Sequence, residues 1–70
     1  MKFKIGQTVE TLKATEAYYG GIIKKGSVGV VGAVNCVYVT KPGTFNCVDF
    51  EVDGKMKRAS FNNNEIKLIN

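Results

Sequence analysis

The chain has 70 residues, a length that makes one domain and leaves a core of marginal size. Hydrophobic residues make up 44% of it, rich in Val, Ile and Phe, which excludes a disordered chain. The net charge is +4 and histidine is absent, so phosphate-rich partners are favoured while the commonest general base and metal ligand is missing.

No apolar stretch follows Lys2 and Lys4, because Gly6, Gln7, Thr8 and Glu10 interrupt it. A signal peptide is therefore not expected. No apolar run approaches the roughly 20 residues of a membrane helix. The expectation is a soluble, cytoplasmic protein. Gly6-Gln7 reads as a turn feeding a strand over residues 8–12, with Val9 and Thr11 on one face.

Residues 13–26 are less regular. Ala14, Glu16, Ala17 and Tyr18 suffice for at most one short helical turn, which Gly20-Gly21 would end. The segment reads as a long first loop carrying Tyr18 and Tyr19 and closed by Ile22-Ile23. Residues 27–39 form a long β-prone run whose valines slip phase near Gly32. A bulge or sharp bend at a glycine does this, and small barrels need such bends to close.

Thr40-Lys41-Pro42-Gly43 reads as a loop, with Pro42-Gly43 suited to the centre of a type II turn. Then Val48, Phe50 and Val52 alternate with Asp49, Glu51 and Asp53, one face buried and one face wet. Asp53-Gly54 is a strong hairpin signal. The return strand, residues 55–61, carries Lys55, Lys57 and Arg58, which cross-strand pairing would set near Glu51 and Asp49. Asn62-Asn63-Asn64 marks a turn, and residues 65–69 a short last strand with Ile66 and Leu68 inward. The result is an all-β domain of five strands, too few for a seven-stranded sandwich. Closing them into a barrel removes exposed edges.

Ile5-Gly6-Gln7-Thr8-Val9 resembles the Gly-Asp-x-Val entry of SH3-like barrels of the KOW or translation-protein type. Lys25-Gly26-Ser27-Val28-Gly29-Val30-Val31 is similar to the Lys-Gly-x-x-Gly-x-Val step of that family. Val48, Phe50 and Val52 resemble its third strand, and Glu65-Ile66-Lys67-Leu68-Ile69 its closing Glu-x-Leu-x-x-Ile. The layout is also similar to the variable chain of ferredoxin–thioredoxin reductase and to a photosystem I accessory subunit. The resemblance implies one five-stranded SH3-like barrel over residues 1–70, with its ligand groove bordered by the first long loop. Residues 35–46 are longer than the tight linker of KOW motifs, a departure that bears on any RNA-binding role.

Catalysis is not expected. Serine and threonine lack a base, the glycines lack phosphate-loop spacing, and Asp49, Glu51 and Asp53 read as a solvated strand face. Two cysteines do not fill a tetrahedral zinc site, so neither metal nor cofactor is expected. Cys36 and Cys47 face each other if the hairpin pairs about Lys41-Pro42; pairing about Pro42-Gly43 sets Cys47 across from Tyr38. Reduced, partly buried thiols are the expectation, with a redox-active pair as the minor alternative.

What remains is binding. Tyr18, Tyr19, Lys24, Lys25, Tyr38, Lys41, Lys55, Lys57 and Arg58 are the candidate contact residues. The leading expectation is a small module that docks on a larger protein, with tyrosines supplying contact area at little entropic cost. The alternative is a nucleic-acid-binding domain with Lys and Arg on phosphates and tyrosines stacked on bases. A homo-oligomeric structural role is the third.

Overall fold

The alternation of Val48, Phe50 and Val52 with Asp49 and Glu51 lies on a hairpin at one edge of the main sheet, with Asp53 in its turn. The computed structural model describes residues 2–69. Its strands are β1 (Thr8–Thr11), β2 (Thr15–Glu16), β3 (Ile22–Ile23), β4 (Val28–Tyr38), β5 (Lys41–Val52), β6 (Lys55–Phe61) and β7 (Ile66–Leu68). There is no helix among the described residues. Five strands form one antiparallel sheet in the order β6-β5-β4-β1-β7, and β2 and β3 form a separate hairpin. The first loop is thus not a plain loop with a helical turn: it folds back on itself as a second, two-stranded sheet. Among the described residues no helix is long and apolar enough to cross a membrane.

The register shows how the sequence makes these elements. Val48 pairs with Ala59, Phe50 with Lys57 and Val52 with Lys55, without a break. Asp53 and Gly54 both take positive φ, 52° and 78°, as a type I′ turn requires. In β4 the expected phase slip is present: Val31 pairs with Val48 but Ala33 with Cys47, so Gly32 is the extra residue of a bulge. A second bulge follows at Asn35, whose φ is 57°.

The tip of this hairpin departs from expectation. Tyr38 pairs with Lys41, so Val39 and Thr40 make the turn, while Pro42 and Gly43 lie inside β5 as extra residues opposite the Val37–Tyr38 step. Lys41 therefore belongs to a strand and not to a loop. Neither anticipated cysteine pairing occurs: Cys36 is opposite Phe45 and Cys47 opposite Ala33.

One cluster, which includes Phe3, Val9, Ala17, Ile23, Val48, Phe50, Phe61 and Ile66, forms the core. It draws on both edges of the sheet and on the β2–β3 hairpin. Each fully buried large side chain, such as Phe61 or Val48, contributes about 1.5–3 kcal/mol. Phe50 and Phe61 meet edge to face with ring centroids 5.9 Å apart. No ladder joins β6 to β7, so the expected closure by strand pairing is not made. At the β6 edge the Tyr18 amide instead donates to the Arg58 carbonyl at 3.0 Å, which engages that edge with the first-loop hairpin.

Two buried polar residues pin the turns. Thr11 Oγ1 donates to the Lys24 carbonyl at 3.1 Å and holds the Lys24–Ser27 turn to β1. Asn46 Nδ2 donates to the Phe61 carbonyl at 3.3 Å and to Asn63 Oδ1 at 2.8 Å, fixing the asparagine turn. Unpaired, each group would carry a desolvation cost of about 1–3 kcal/mol.

Candidate docking surface

The sheet has an outer face opposite the core, and its chemistry follows from strand parity. On β5, Phe45, Cys47, Asp49 and Glu51 point outward because Asn46, Val48, Phe50 and Val52 point inward. On β6 the outward partners are Ser60, Arg58 and Met56, opposite Cys47, Asp49 and Glu51 in turn.

Arg58 meets Asp49 as a fork, Nε to Oδ1 at 2.7 Å and Nη2 to Oδ2 at 3.0 Å. The bond to Asp49 drives the guanidinium further above its already high range. The pair lies over Gly32: a Cβ there would overlap the Asp49 carboxylate and sit 2.6 Å from Arg58 Nη2. Gly32 is therefore small for a second reason besides the bulge.

Beside this pair, Tyr18 crosses the β6 edge onto the outer face. Its hydroxyl lies 2.6 Å from Ser60 Oγ and 3.1 Å from Cys47 Sγ, and it also contacts the Tyr38 hydroxyl. Tyr38 in turn lies 2.7 Å from Ser60 Oγ and 3.1 Å from Cys47 Sγ. The Cys47 thiol, 3% exposed, donates to Cys36 Sγ at 3.1 Å. The Cys47 hydrogen bond, followed by burial, pushes the Cys36 thiol up. Burial pushes the Tyr38 phenol up as well, with the Cys47 contact adding to it. Both groups stay neutral near pH 7. Tyr18 and Phe45 pack edge to face on either side of Tyr38, with centroids 6.1 and 5.4 Å away, and Lys41 Nζ lies 5.8 Å from the Phe45 ring centre.

A groove of about 450 Å³ runs between the first loop and this cluster, with Lys13, Thr15 and Glu16 on one wall and Lys41, Phe45 and Ser60 among those on the other. Next to it projects the β2–β3 hairpin. Tyr19 is 98% exposed at its tip, and Ile22 is exposed on its return strand. The hairpin is held by the Tyr18 amide, by the Ala17 amide to the Gly21 carbonyl at 2.9 Å, and by Lys57 Nζ to the Gly20 carbonyl at 3.4 Å.

The expected contact residues thus divide. Tyr18 packs on Tyr38, Tyr38 on Phe45 and Lys41 lies over Phe45, whereas Lys57 reaches the Gly20 carbonyl of the hairpin that carries Tyr19 without a contact to Tyr19 itself. Lys24 and Lys25 sit in the turn pinned by Thr11. Lys55 and Lys57 do not face Glu51 and Asp49: they pair with Val52 and Phe50, on the opposite face from Arg58, because neighbours on a strand alternate. Among the described residues only Arg58 pairs with an acid of β5. The basic rim is therefore not one surface. Cys36, Phe45, Cys47 and Ser60 complete the cluster and were absent from the expected set. Alternation with Val48 and Phe50 already assigns Cys47 to the outer face, but the Asn35 bulge that brings Cys36 to it has no clear sequence signal. Comparison with family models, with curated proteins and with solved structures finds no match to this chain.

Proposed function

We propose that the chain is a non-catalytic protein-binding module, an adaptor, accessory subunit or inhibitor, that docks on a larger protein through the β2–β3 hairpin and the adjoining groove. The observation that carries this reading is Tyr19, 98% exposed on a hairpin already fixed at both flanks. The backbone on either side of Tyr19 is hydrogen-bonded before binding, so docking has only the two side-chain torsions of the tyrosine left to order while it buries a large area. Ile22 extends the apolar contact, and Lys41 and Glu16 give the groove charges of both signs for orientation.

The domain is further proposed to be a variant of the SH3-like barrel. The order β7-β1-β4-β5-β6, the bent long β4 and a core shared by both sheet edges support this. In that reading the β2–β3 hairpin takes the place of a closing ladder and borders the ligand groove.

The division of the cations favours protein over nucleic acid. Arg58, the one arginine, is engaged by Asp49, and the candidate lysines, which have no acid partner among the described residues, are split between the Lys24-Lys25 turn, Lys41 at the start of β5 and Lys55 and Lys57 on the face of β6 opposite Arg58. Phosphate tracking needs free cations along one face. Titration with labelled single- and double-stranded oligonucleotides at low and moderate salt tests the choice. No binding at low salt is expected; binding with a steep salt slope would overturn the reading.

A further inference from the structure

We infer that Cys36 and Cys47 are a modification site: they convert reversibly to an intramolecular disulfide, and Tyr18 is the side chain that senses the change. The inference rests on the thiols themselves and stands whether or not the hairpin docks on a protein.

The two sulfurs are 3.1 Å apart, and a disulfide is about 2.0 Å long, so closure needs a movement of about 1 Å. The residues are not directly opposite on the ladder, since Cys36 faces Phe45 and Cys47 faces Ala33. They meet because of Asn35. Its left-handed backbone, at φ 57°, inserts one extra residue between Ala33 and Cys36 and returns Cys36 to the face that carries Cys47. Such a conformation has an energetic cost for a residue with a Cβ, and Asn tolerates it better than most. The backbone irregularity has thiol juxtaposition as its structural result.

The two sulfurs also differ in access. Cys36 is half-buried, whereas Cys47 is buried under Tyr18 and Tyr38. The co-reactant is a low-molecular-weight disulfide. Cys36, neutral near pH 7, reacts through its small thiolate fraction: the thiol gives its proton to solvent, and its sulfur attacks one sulfur of the reagent. A mixed disulfide forms and the first small thiolate leaves, taking up a proton. The Cys47 sulfur then loses its proton and attacks the Cys36 sulfur, expelling the second small thiolate. Two thiols and one small disulfide become one protein disulfide and two small thiols; two electrons pass to the reagent.

The Cys47 proton is already directed at Cys36, so what closure changes for Tyr18 is the position of the Cys47 sulfur, which is drawn toward Cys36. The contact between Cys47 Sγ and the Tyr18 hydroxyl weakens, so Tyr18 keeps Ser60 and Tyr38 as its anchors. The loop that bears Tyr18 therefore loosens in the oxidised form.

The test equilibrates the whole chain with oxidised and reduced glutathione at a series of ratios, quenches with acid and alkylates. The expected product is a monomer lighter by two hydrogens, with neither cysteine alkylated and full reversal by a dithiol. Hydrogen exchange at the Tyr18 amide is expected to be faster in that product than in the reduced protein. A stable glutathione adduct on one cysteine, a disulfide-linked dimer, or two thiols still alkylated at the most oxidising ratio would overturn the site. Unchanged exchange at Tyr18 would overturn its role as the sensor.

Discussion

The Tyr18 hydroxyl lies 2.6 Å from Ser60 Oγ, on the far side of β6 from the loop where Tyr18 originates. This contact, with the Tyr18 amide on the Arg58 carbonyl, clasps the edge of the sheet from both its backbone and its outer face. It ties the exposed hairpin to the only strand edge that the hairpin meets through a backbone bond among those described.

Removing that hydroxyl tests the clasp. Tyr18→Phe is expected to cost about 1 kcal/mol of stability, since the partners it leaves are close enough to the surface to find water. Hydrogen exchange is expected to accelerate across residues 17–21 and not across β4 or β5. Uniform acceleration over the sheet would show that Tyr18 serves global stability alone.

Two glycines on β4 differ in what presses on them. A Cβ at Gly29 would meet the Asp49 carbonyl at 2.6 Å and the buried Phe50 ring at 2.7 Å. Neither can retreat without moving β5, so Gly29→Ala is expected to cost roughly 2–3 kcal/mol in urea denaturation. At Gly32 the added atom meets side-chain ends, Asp49 and Arg58, which are partly exposed and can swing away. Gly32→Ala should cost about 1 kcal/mol or less, most of it from the broken ion pair. In an Asp49→Ala background that cost should fall toward zero; a full cost there would contradict the account.

Glu65 gives a pH-dependent prediction. Partial burial works to raise its carboxyl, but the Asn62 amide at 2.8 Å and Lys13 at 3.0 Å outweigh it and hold the carboxyl below its usual range. A carboxyl depressed in the folded state stabilises the fold above its unfolded pKa, near 4.3, and loses that contribution as pH falls through the folded value. Glu65→Gln should therefore lower stability at pH 7 by about 0.5–1 kcal/mol, the Lys13 side being largely exposed. The gap between variant and wild type should narrow in acid. An equal gap at all pH values would assign the effect to packing.

The sequence displays the β5–β6 hairpin far better than the first loop and the tip of the β4–β5 hairpin. Val48, Phe50 and Val52 alternate over a full strand, and Asp53-Gly54 has a single low-energy turn geometry, so the β5–β6 hairpin is legible from residue types alone. Gly32 marks its bulge through the change of phase in the valines around it. The first loop is different. Strands of two residues, Thr15–Glu16 and Ile22–Ile23, are too short to show a period, and what fixes them is tertiary: Ala17 and Ile23 in the core, Tyr18 on Arg58. Pro42-Gly43 carries a strong local turn preference, yet the turn falls at Val39-Thr40, because the bulges in β4 set the register of the tip. The cysteine pair was legible as a question only, since its answer depends on the backbone of Asn35. The face of each lysine on β6 was available from alternation: Lys55 and Lys57 share parity with Ala59 and Phe61, whereas Arg58 shares it with Ser60.

Tyr19 offers the most direct test of the docking surface, because it has no packing role to confuse the result. Wild-type protein and the Tyr19→Ala variant, matched in thermal unfolding, are used as baits in untreated and nuclease-treated extracts of the source cells, and any stoichiometric protein retained is purified and titrated against both. The account predicts equal stability, one protein partner retained by the wild type, and a loss of about 30-fold or more in its affinity for the variant, as for a central aromatic contact of about 2 kcal/mol or more. Equal affinity for wild type and variant, or a partner lost on nuclease treatment, would contradict it.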